Sequence, residues 1–142
     1  MGRQLISEDL FVRLCRSREY LGDCANAPVS LGHAARLAYL SKYHYLRMFA
    51  MAFGETPLQF VTRVRMERAR SLLLSSEWSV TEICMEVGYE SPTTFSNRFR
   101  RFAGCPPSEV RRQSRKLFAM PALAAIYDVP ACFFPCLRQS QF

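Results

Sequence analysis

The feature that most constrains this chain is a repeat: Ser30–Gly54 and Ser79–Gly104 carry one pattern twice. From Ser41 and Ser91 onward the copies are offset by 50 positions, so Tyr45 aligns with Phe95, Phe49 with Phe99, Gly54 with Gly104 and Pro57 with Pro107. Before that point the offset is 49, pairing Ser30 with Ser79, Leu31 with Val80, Ala34 with Ile83 and Ala35 with Cys84. One extra residue therefore lies in the second turn. Each copy reads as two short helices joined by a tight turn. Small residues at Ala35 and Cys84 let the two helices approach closely, as a helix-turn-helix requires. Two copies are too few for a solenoid.

The rest of the chain fits around these copies. Ser7, followed by the acidic pair Glu8 and Asp9, predicts a capped helix over Ser7–Leu21, with Leu10, Phe11, Leu14 and Cys15 at helical spacing. Gly22 to Val29, with Asn26 and Pro28, reads as a loop. Ser30 caps a helix to about Tyr39, and another runs from about Tyr43 to Phe53, ended by Gly54. Thr56-Pro57 starts the longest helix, to about Leu74, with Phe60, Val61, Val64, Ala69, Leu72 and Leu73 expected on one face. Ser79 with Glu82 predicts a capping box for a helix stopping at Gly88. Ser91-Pro92 starts the next, carrying Phe95, Phe99 and Phe102 inward. Pro106-Pro107 opens a final basic helix with Arg111, Arg112, Arg115 and Lys116. The expected fold class is all-α: two helix-turn-helix subdomains joined by a long connecting helix, with about seven helices in all. At 142 residues this is one large domain or two very small ones sharing a core.

The net charge of +7 implies a polyanionic partner, either nucleic acid or an anionic membrane surface. Arginine supplies nearly all of it, Lys42 and Lys116 being the only lysines. The planar guanidinium suits phosphate and guanine edges; a solvated basic surface is the plain alternative. Met1–Leu10 lacks the apolar core of a signal peptide, and no apolar run approaches the ~20 residues of a membrane span. The six cysteines, Cys15, Cys24, Cys84, Cys105, Cys132 and Cys136, are scattered and form no secreted disulfide framework. His33 and His44 stand far from the Cys132–Cys136 pair, so no zinc spacing exists. The expectation is a reduced, cytoplasmic protein with no cofactor, no metal and no catalytic residue. His44 reads as a polar contact or partly buried ring, and the Cys132–Cys136 pair as packed apolar thiols with a thiol switch as the alternative.

Several residues occur together in order: Ser41, Arg47, Phe49 and Gly54; the run Arg65-Met66-Glu67-Arg68-Ala69-Arg70 with Leu72-Leu73; and Ile83-Cys84, Val87-Gly88-Tyr89, Phe95, Phe99-Arg100-Arg101 and Gly104, then Pro107-Ser108-Glu109. From about Leu10 to Arg112 the chain resembles the DNA-binding domain of the AraC/XylS transcription-regulator family. The resemblance implies a domain over 1–116, with a first helix-turn-helix at about 30–54, a connecting helix at about 57–74 and a second helix-turn-helix at about 79–104. It is closer in size to the short stand-alone members, which lack a sensor domain. Three positions depart from the pattern. Tyr39 stands where the family places its turn glycine, so the first turn is expected to be shaped differently. Cys84 replaces an alanine. Pro92 occupies a position where a polar side chain is usual, which weakens base contact there.

What the resemblance implies for function is a sequence-specific DNA-binding transcription regulator, an activator, that inserts two recognition helices into successive major grooves. Those grooves lie about 34 Å apart, and a connecting helix of about 27 Å is the right order of length. A monomer then reads two unlike half-sites. The base-reading candidates are Tyr43, Leu46 and Arg47 in the first unit and Thr93, Ser96 and Asn97 in the second. Arg47 suits a bidentate guanine contact, Leu46 a thymine methyl and Asn97 an adenine. The phosphate candidates are Lys42, Arg98, Arg100, Arg101 and Arg111, with the helix N-termini at Ser30, Ser79 and Pro107 adding backbone N–H groups. The implied partners are double-stranded DNA and RNA polymerase, with no membrane, and the implied location is the bacterial nucleoid.

Other classes stay open at this point: a helical protein-interaction module, a repressor without its own sensor domain, or an enzyme. The enzyme reading is opposed by the lack of a cysteine set among a base and an orienting group at recognisable spacing. Leu117 to Phe142 is apolar, carries prolines and aromatics, and resembles the IPxCFxR ending of some short family members at Val129–Phe134. It reads as an irregular tail. A flap over the helical domain is expected there, with a subunit or polymerase contact and a ligand-domain remnant as alternatives.

Overall fold

The computed structural model describes residues 6–118 and places them in seven α-helices, with no strand among the described residues. These are α1 (Glu8–Asp23), α2 (Leu31–Leu37), α3 (Lys42–Phe53), α4 (Pro57–Ser75), α5 (Val80–Glu86), α6 (Pro92–Ala103) and α7 (Pro107–Phe118). The starts are set by local chemistry. Ser7, Ser30, Ser41, Ser79 and Ser91 each accept a hydrogen bond from the backbone N–H three residues on, at 3.2–3.3 Å. Such a bond satisfies one of the donors a helix leaves unpaired at its N-terminus. At α5 the bond is reciprocal, since Glu82 accepts the Ser79 N–H at 2.6 Å. Thr56 and Gln59 form the same reciprocal pair ahead of α4. α3 and α6 both end on a glycine at positive φ, Gly54 and Gly104. α7 extends through Phe118, into the stretch expected to be irregular. The remainder of that tail, 119–142, lies outside the described residues.

The chain divides into two compact units between Arg65 and Met66, inside α4. The expected shared core is corrected. In the first unit Leu14, Leu21, Ala34, Ala35, Ala38, Tyr45, Met48, Phe49, Phe60 and Val61 are buried together. In the second, Met66, Ala69, Leu73, Ile83, Cys84, Val87, Phe95, Phe99, Ala103 and Val110 form a separate cluster. α4 contributes Phe60 and Val61 to one cluster and Met66, Ala69 and Leu73 to the other. At about 100° per residue these two sets lie on different sides of the helix, so no single apolar stripe runs its length. The sequence-based stripe merged two faces. Burial gives α4 its stability at both ends.

The two turns have one shape, contrary to expectation. Tyr39 holds φ 54°, the left-handed region, as Gly88 does at φ 83°. The Tyr39 N–H donates to Arg36 O and the Leu40 N–H to Ala35 O; the Gly88 N–H donates to Met85 O and the Tyr89 N–H to Cys84 O, all at 2.9–3.0 Å. Every one of these pairs keeps the offset of 49. The extra residue therefore comes after Tyr89, and it is Glu90. A side chain at positive φ crowds the backbone and costs about 1–3 kcal/mol. The Arg13 guanidinium lies 5.6 Å from the Tyr39 ring centre. An exposed contact of that kind contributes about 0.5–1 kcal/mol, which offsets only part of the cost.

Inside the first unit one polar link is fully buried. The Ser17 and Tyr45 hydroxyls are 2.6 Å apart, and Ser17 Oγ is 2.9 Å from Ala34 O. The carbonyl only accepts, so Ser17 donates its one hydrogen there and Tyr45 O–H donates to Ser17. Burial pushes the Tyr45 phenol up, and its bond to Ser17 opposes that shift. Ser17 continues the α1 stripe of Leu10, Leu14 and Leu21 at helical spacing.

Candidate nucleic-acid interface

α3 and α6 are the second helices of the two units, and each is anchored by aromatic residues on its inner side. Tyr45 and Phe49 of α3, and Phe95 and Phe99 of α6, are completely buried. Their rings pair edge-on or tilted, with centroids 5.6 Å apart in α3 and 5.9 Å in α6. Anchoring one face fixes which side chains turn to solvent, because residues i, i+3 and i+4 share a side of a helix. In α3, Lys42, Tyr43 and Arg47 are exposed and Leu46 is half-buried. In α6, Thr93, Asn97, Arg98, Arg100 and Arg101 are exposed and Ser96 is half-buried. Met48 of α3 is buried as well. Phe102 is half-buried.

The two solvent faces match register for register. At the offset of 50, Tyr43 corresponds to Thr93, Leu46 to Ser96 and Arg47 to Asn97. Tyr43 is 74% exposed, so packing into the core is not its role. The side chains of Arg47, Lys42, Arg100 and Arg101 make no hydrogen bond or ion pair with any described residue. Arg98 lies over the Tyr89 ring at 6.0 Å. Other arginines are neutralised on the scaffold: Arg13 by Asp9, Arg63 by Glu55, Arg68 by Glu86 and Arg112 by Glu109, all at 2.7–2.8 Å. Hydrogen bonds from Arg112 and Gln113 hold the Glu109 carboxyl below its usual range, and Glu109 in turn pushes Arg112 up.

Arg111 does not belong with the phosphate candidates. It is buried, and its guanidinium donates to the carbonyls of Ser76 and Trp78, just beyond the end of α4. A buried arginine committed to two acceptors is not available to a phosphate without leaving those carbonyls unpaired. The first unit has the same device. Arg65 donates from Nε to Ala25 O at 2.6 Å and from its terminal nitrogen to Ala27 O at 3.0 Å, just beyond the end of α1. In register Arg65 matches Arg115, so the sequence alignment hides this equivalence.

Sequence reasoning also missed the solvent exposure of Tyr39 in the first turn, 78% despite its strained backbone. Its pairing with Gly88 at the offset of 49 was the available signal. Cys84 is buried, its Sγ 3.4 Å from Tyr89 O, and burial pushes its thiol up, away from the reactive thiolate. Among the described residues no group of three or more His, Cys, Asp or Glu is placed to hold a metal ion. Among them, too, no helix is long and apolar enough to cross a membrane.

Paired helix-turn-helix units, each with an anchored second helix and a polar outer face, define the class: a protein with a helix-turn-helix DNA-binding fold. A family profile described as a helix-turn-helix domain matches residues 34–113 of the 142. The chain belongs to the AraC-type helix-turn-helix family. It is 37% identical over 78 residues to an uncharacterised HTH-type transcriptional regulator of Haemophilus influenzae, covering 55% of this chain and 26% of that one. It is 32% identical over 97 residues to the MmsAB operon regulatory protein of Pseudomonas aeruginosa, covering 68% of this chain and 32% of that one. Over 92 residues it is 33% identical to the RCS-specific HTH-type transcriptional activator RclR of Escherichia coli K12, covering 61% and 32%. The chain thus spans about a third or less of the length of these curated relatives. Among solved structures, the DNA-binding domain of the global transcriptional factor AdpA, in complex with a target DNA, is similar at a TM-score of 0.68 and 28% identity, covering 72% of this chain and 93% of that one. The C-terminal domain of AraT, a response regulator from Geobacillus stearothermophilus, is similar at 0.67 and 29%, covering 77% and 88%.

Proposed function

We propose that the protein is a sequence-specific DNA-binding transcription regulator that inserts α3 and α6 into successive major grooves. The observation that carries this reading is the matched solvent face of the two helices. Tyr43, Leu46 and Arg47 stand in register with Thr93, Ser96 and Asn97, each set outside a buried aromatic anchor. Support comes also from the AdpA domain, whose structure holds a target DNA. α4 has 19 residues, about 28 Å at 1.5 Å per residue, the order of the ~34 Å between successive major grooves. In this reading Arg47 pairs with a guanine, Leu46 packs on a thymine methyl and Asn97 pairs with an adenine. Lys42, Arg98, Arg100 and Arg101 hold phosphates and set the register without reading sequence. The monomer reads two unlike half-sites. Its action on transcription is activation, in line with the word activator in the name of RclR, and its protein contact in that role is RNA polymerase.

Selection of preferred duplexes from a random pool tests this directly. The expected product is a site with two dissimilar half-sites about one helical turn apart. Arg47→Ala is expected to weaken binding to it by about 1–3 kcal/mol and relax preference at one base pair. Arg101→Ala is expected to weaken all sequences alike and lower the salt slope by about one ion. No enrichment over random sequence would sink the reading.

A further inference from the structure

We propose that Tyr39 is a DNA-backbone contact of the first unit, its phenol hydroxyl donating to a phosphate oxygen at the edge of the groove that α3 enters. The inference rests on the DNA-binding reading and deepens it with a residue outside both recognition helices.

Three observations carry it. The first is the backbone. Tyr39 adopts the left-handed conformation that its counterpart Gly88 adopts with no side chain to crowd it. The second is exposure. The ring is 78% exposed, so the fold gains little from burying it. A bulky aromatic at a position suited to glycine, and not repaid by packing, points to a contact outside the chain. The third is support from beneath. The Arg13 guanidinium lies over the Tyr39 ring, is held by Asp9 at 2.8 Å, and donates to Ala38 O, the residue before Tyr39, at 3.1 Å. The ring is thus placed by a side chain that is itself fixed, by the Asp9 carboxylate and the Ala38 carbonyl.

The position selects the partner. In a helix-turn-helix the first helix crosses the DNA backbone while the N-terminal part of the second reaches base edges. Tyr39 lies in the turn between them, two residues before Ser41, the N-cap of α3. A tyrosine there meets the sugar-phosphate edge, where a neutral hydroxyl serves as a donor. Gly88 leaves the second unit without this contact. The α6 face instead carries Arg98, Arg100 and Arg101; at the offset of 50, α3 has the buried Met48, the half-buried Ala50 and the exposed Met51, none of them charged.

The test uses the full chain with its selected duplex and compares Tyr39→Phe and Tyr39→Gly with wild type. Tyr39→Phe keeps the ring and removes only the donor; Tyr39→Gly removes the side chain and relieves the backbone. Both are expected to bind about tenfold more weakly, by the same factor on preferred and random duplexes, with an unaltered salt slope. The melting temperature of the free protein should be no lower for Tyr39→Phe than for wild type. Wild-type affinity in Tyr39→Phe overturns the proposal even if Tyr39→Gly is weakened. A change of preference at one base pair also overturns it, making Tyr39 a base reader. Arg47→Ala on the same duplex separates the two readings: if it relaxes preference while Tyr39→Phe binds as wild type, the function stands and only the Tyr39 contact falls.

Discussion

The two helix-turn-helix units share a backbone plan and differ in what they build on it. Their turns have the same hydrogen bonds, their second helices start on a serine and end on a glycine, and each buries two aromatics one turn apart. On the inner side the first unit uses small residues, Ala34, Ala35 and Ala38, with the Ser17–Tyr45 hydroxyl link. The second uses Ile83, Cys84 and Val87 against Phe95, with no hydroxyl at that position. On the outer side α6 carries three arginines and α3 one, with Lys42 beside it. The difference teaches that a repeated scaffold fixes where side chains point and leaves their chemistry free. In the proposed division of labour, α3 reads and α6 mostly grips.

The strongest way to break the comparison is to remove one anchor at a time. Phe49→Ala and Phe99→Ala are each expected to cost about 3–5 kcal/mol, because each deletes a fully buried ring. With separate cores, amide hydrogen exchange should show Phe49→Ala loosening residues 6–65 more than 66–118, and Phe99→Ala the reverse. Uniform loss in both variants would mean that the units unfold as one.

A smaller effect is expected from the paired arginine forks. Arg111→Met should lower stability by about 2–3 kcal/mol, since two carbonyls lose a charged donor in a buried site. Arg65→Met should cost less, because Arg65 is only half-buried. Under conditions where the variant is folded, Arg111→Met should leave the salt slope of DNA binding intact, whereas Arg101→Ala lowers it. A reduced slope for Arg111→Met would return that residue to the phosphate set.

The buried hydroxyls sharpen the contrast at lower cost. Ser17→Ala leaves the Tyr45 hydroxyl buried without its partner and should cost about 1–3 kcal/mol in denaturant unfolding. Tyr45→Phe should cost about 1 kcal/mol, since Ser17 keeps its bond to Ala34. The mirror change Phe95→Tyr places a hydroxyl in a fully buried site and should destabilise the second unit.

The mildest contrast is with pH. Glu82, third residue of α5, is held below its ordinary value of 4.5 by hydrogen bonds from Ser79. Its counterpart at the offset of 49 is His33, whose ring lies tilted against Tyr20 with the centroids 4.8 Å apart. A depressed carboxyl contributes stability that is present above its unfolded value and lost as pH falls through the folded one. Acidification below 4.5 should therefore loosen the start of α5 before that of α2, in exchange measurements. Glu82→Gln should remove the difference.

Most helix starts were legible in the sequence because caps are local: a serine or threonine, its backbone partner three residues on, and a proline or glutamate between. The anchors Tyr45, Phe49, Phe95 and Phe99 were legible because helical spacing repeats within a few residues. α4 was misread for the same reason. Its apolar positions look like one stripe until two separate cores claim opposite parts of it. The first turn was misread through residue type, since tyrosine argues against a left-handed backbone that the surrounding packing nonetheless imposes. Ser17 sat on a visible stripe, but its polarity hid it.

By itself the sequence determined seven helices in order, the doubling at offsets of 49 and 50, and the residues that form the two solvent faces. Those follow from bonds and periodicities spanning a handful of residues. Only the tertiary structure decided that the cores are separate, that Arg65 and Arg111 clamp carbonyls 40 and 35 positions away, and that Tyr39 repeats the shape of Gly88. The physical reason is range. A guanidinium finds its acceptors in space, and no pattern along the chain records which distant carbonyl was left unpaired.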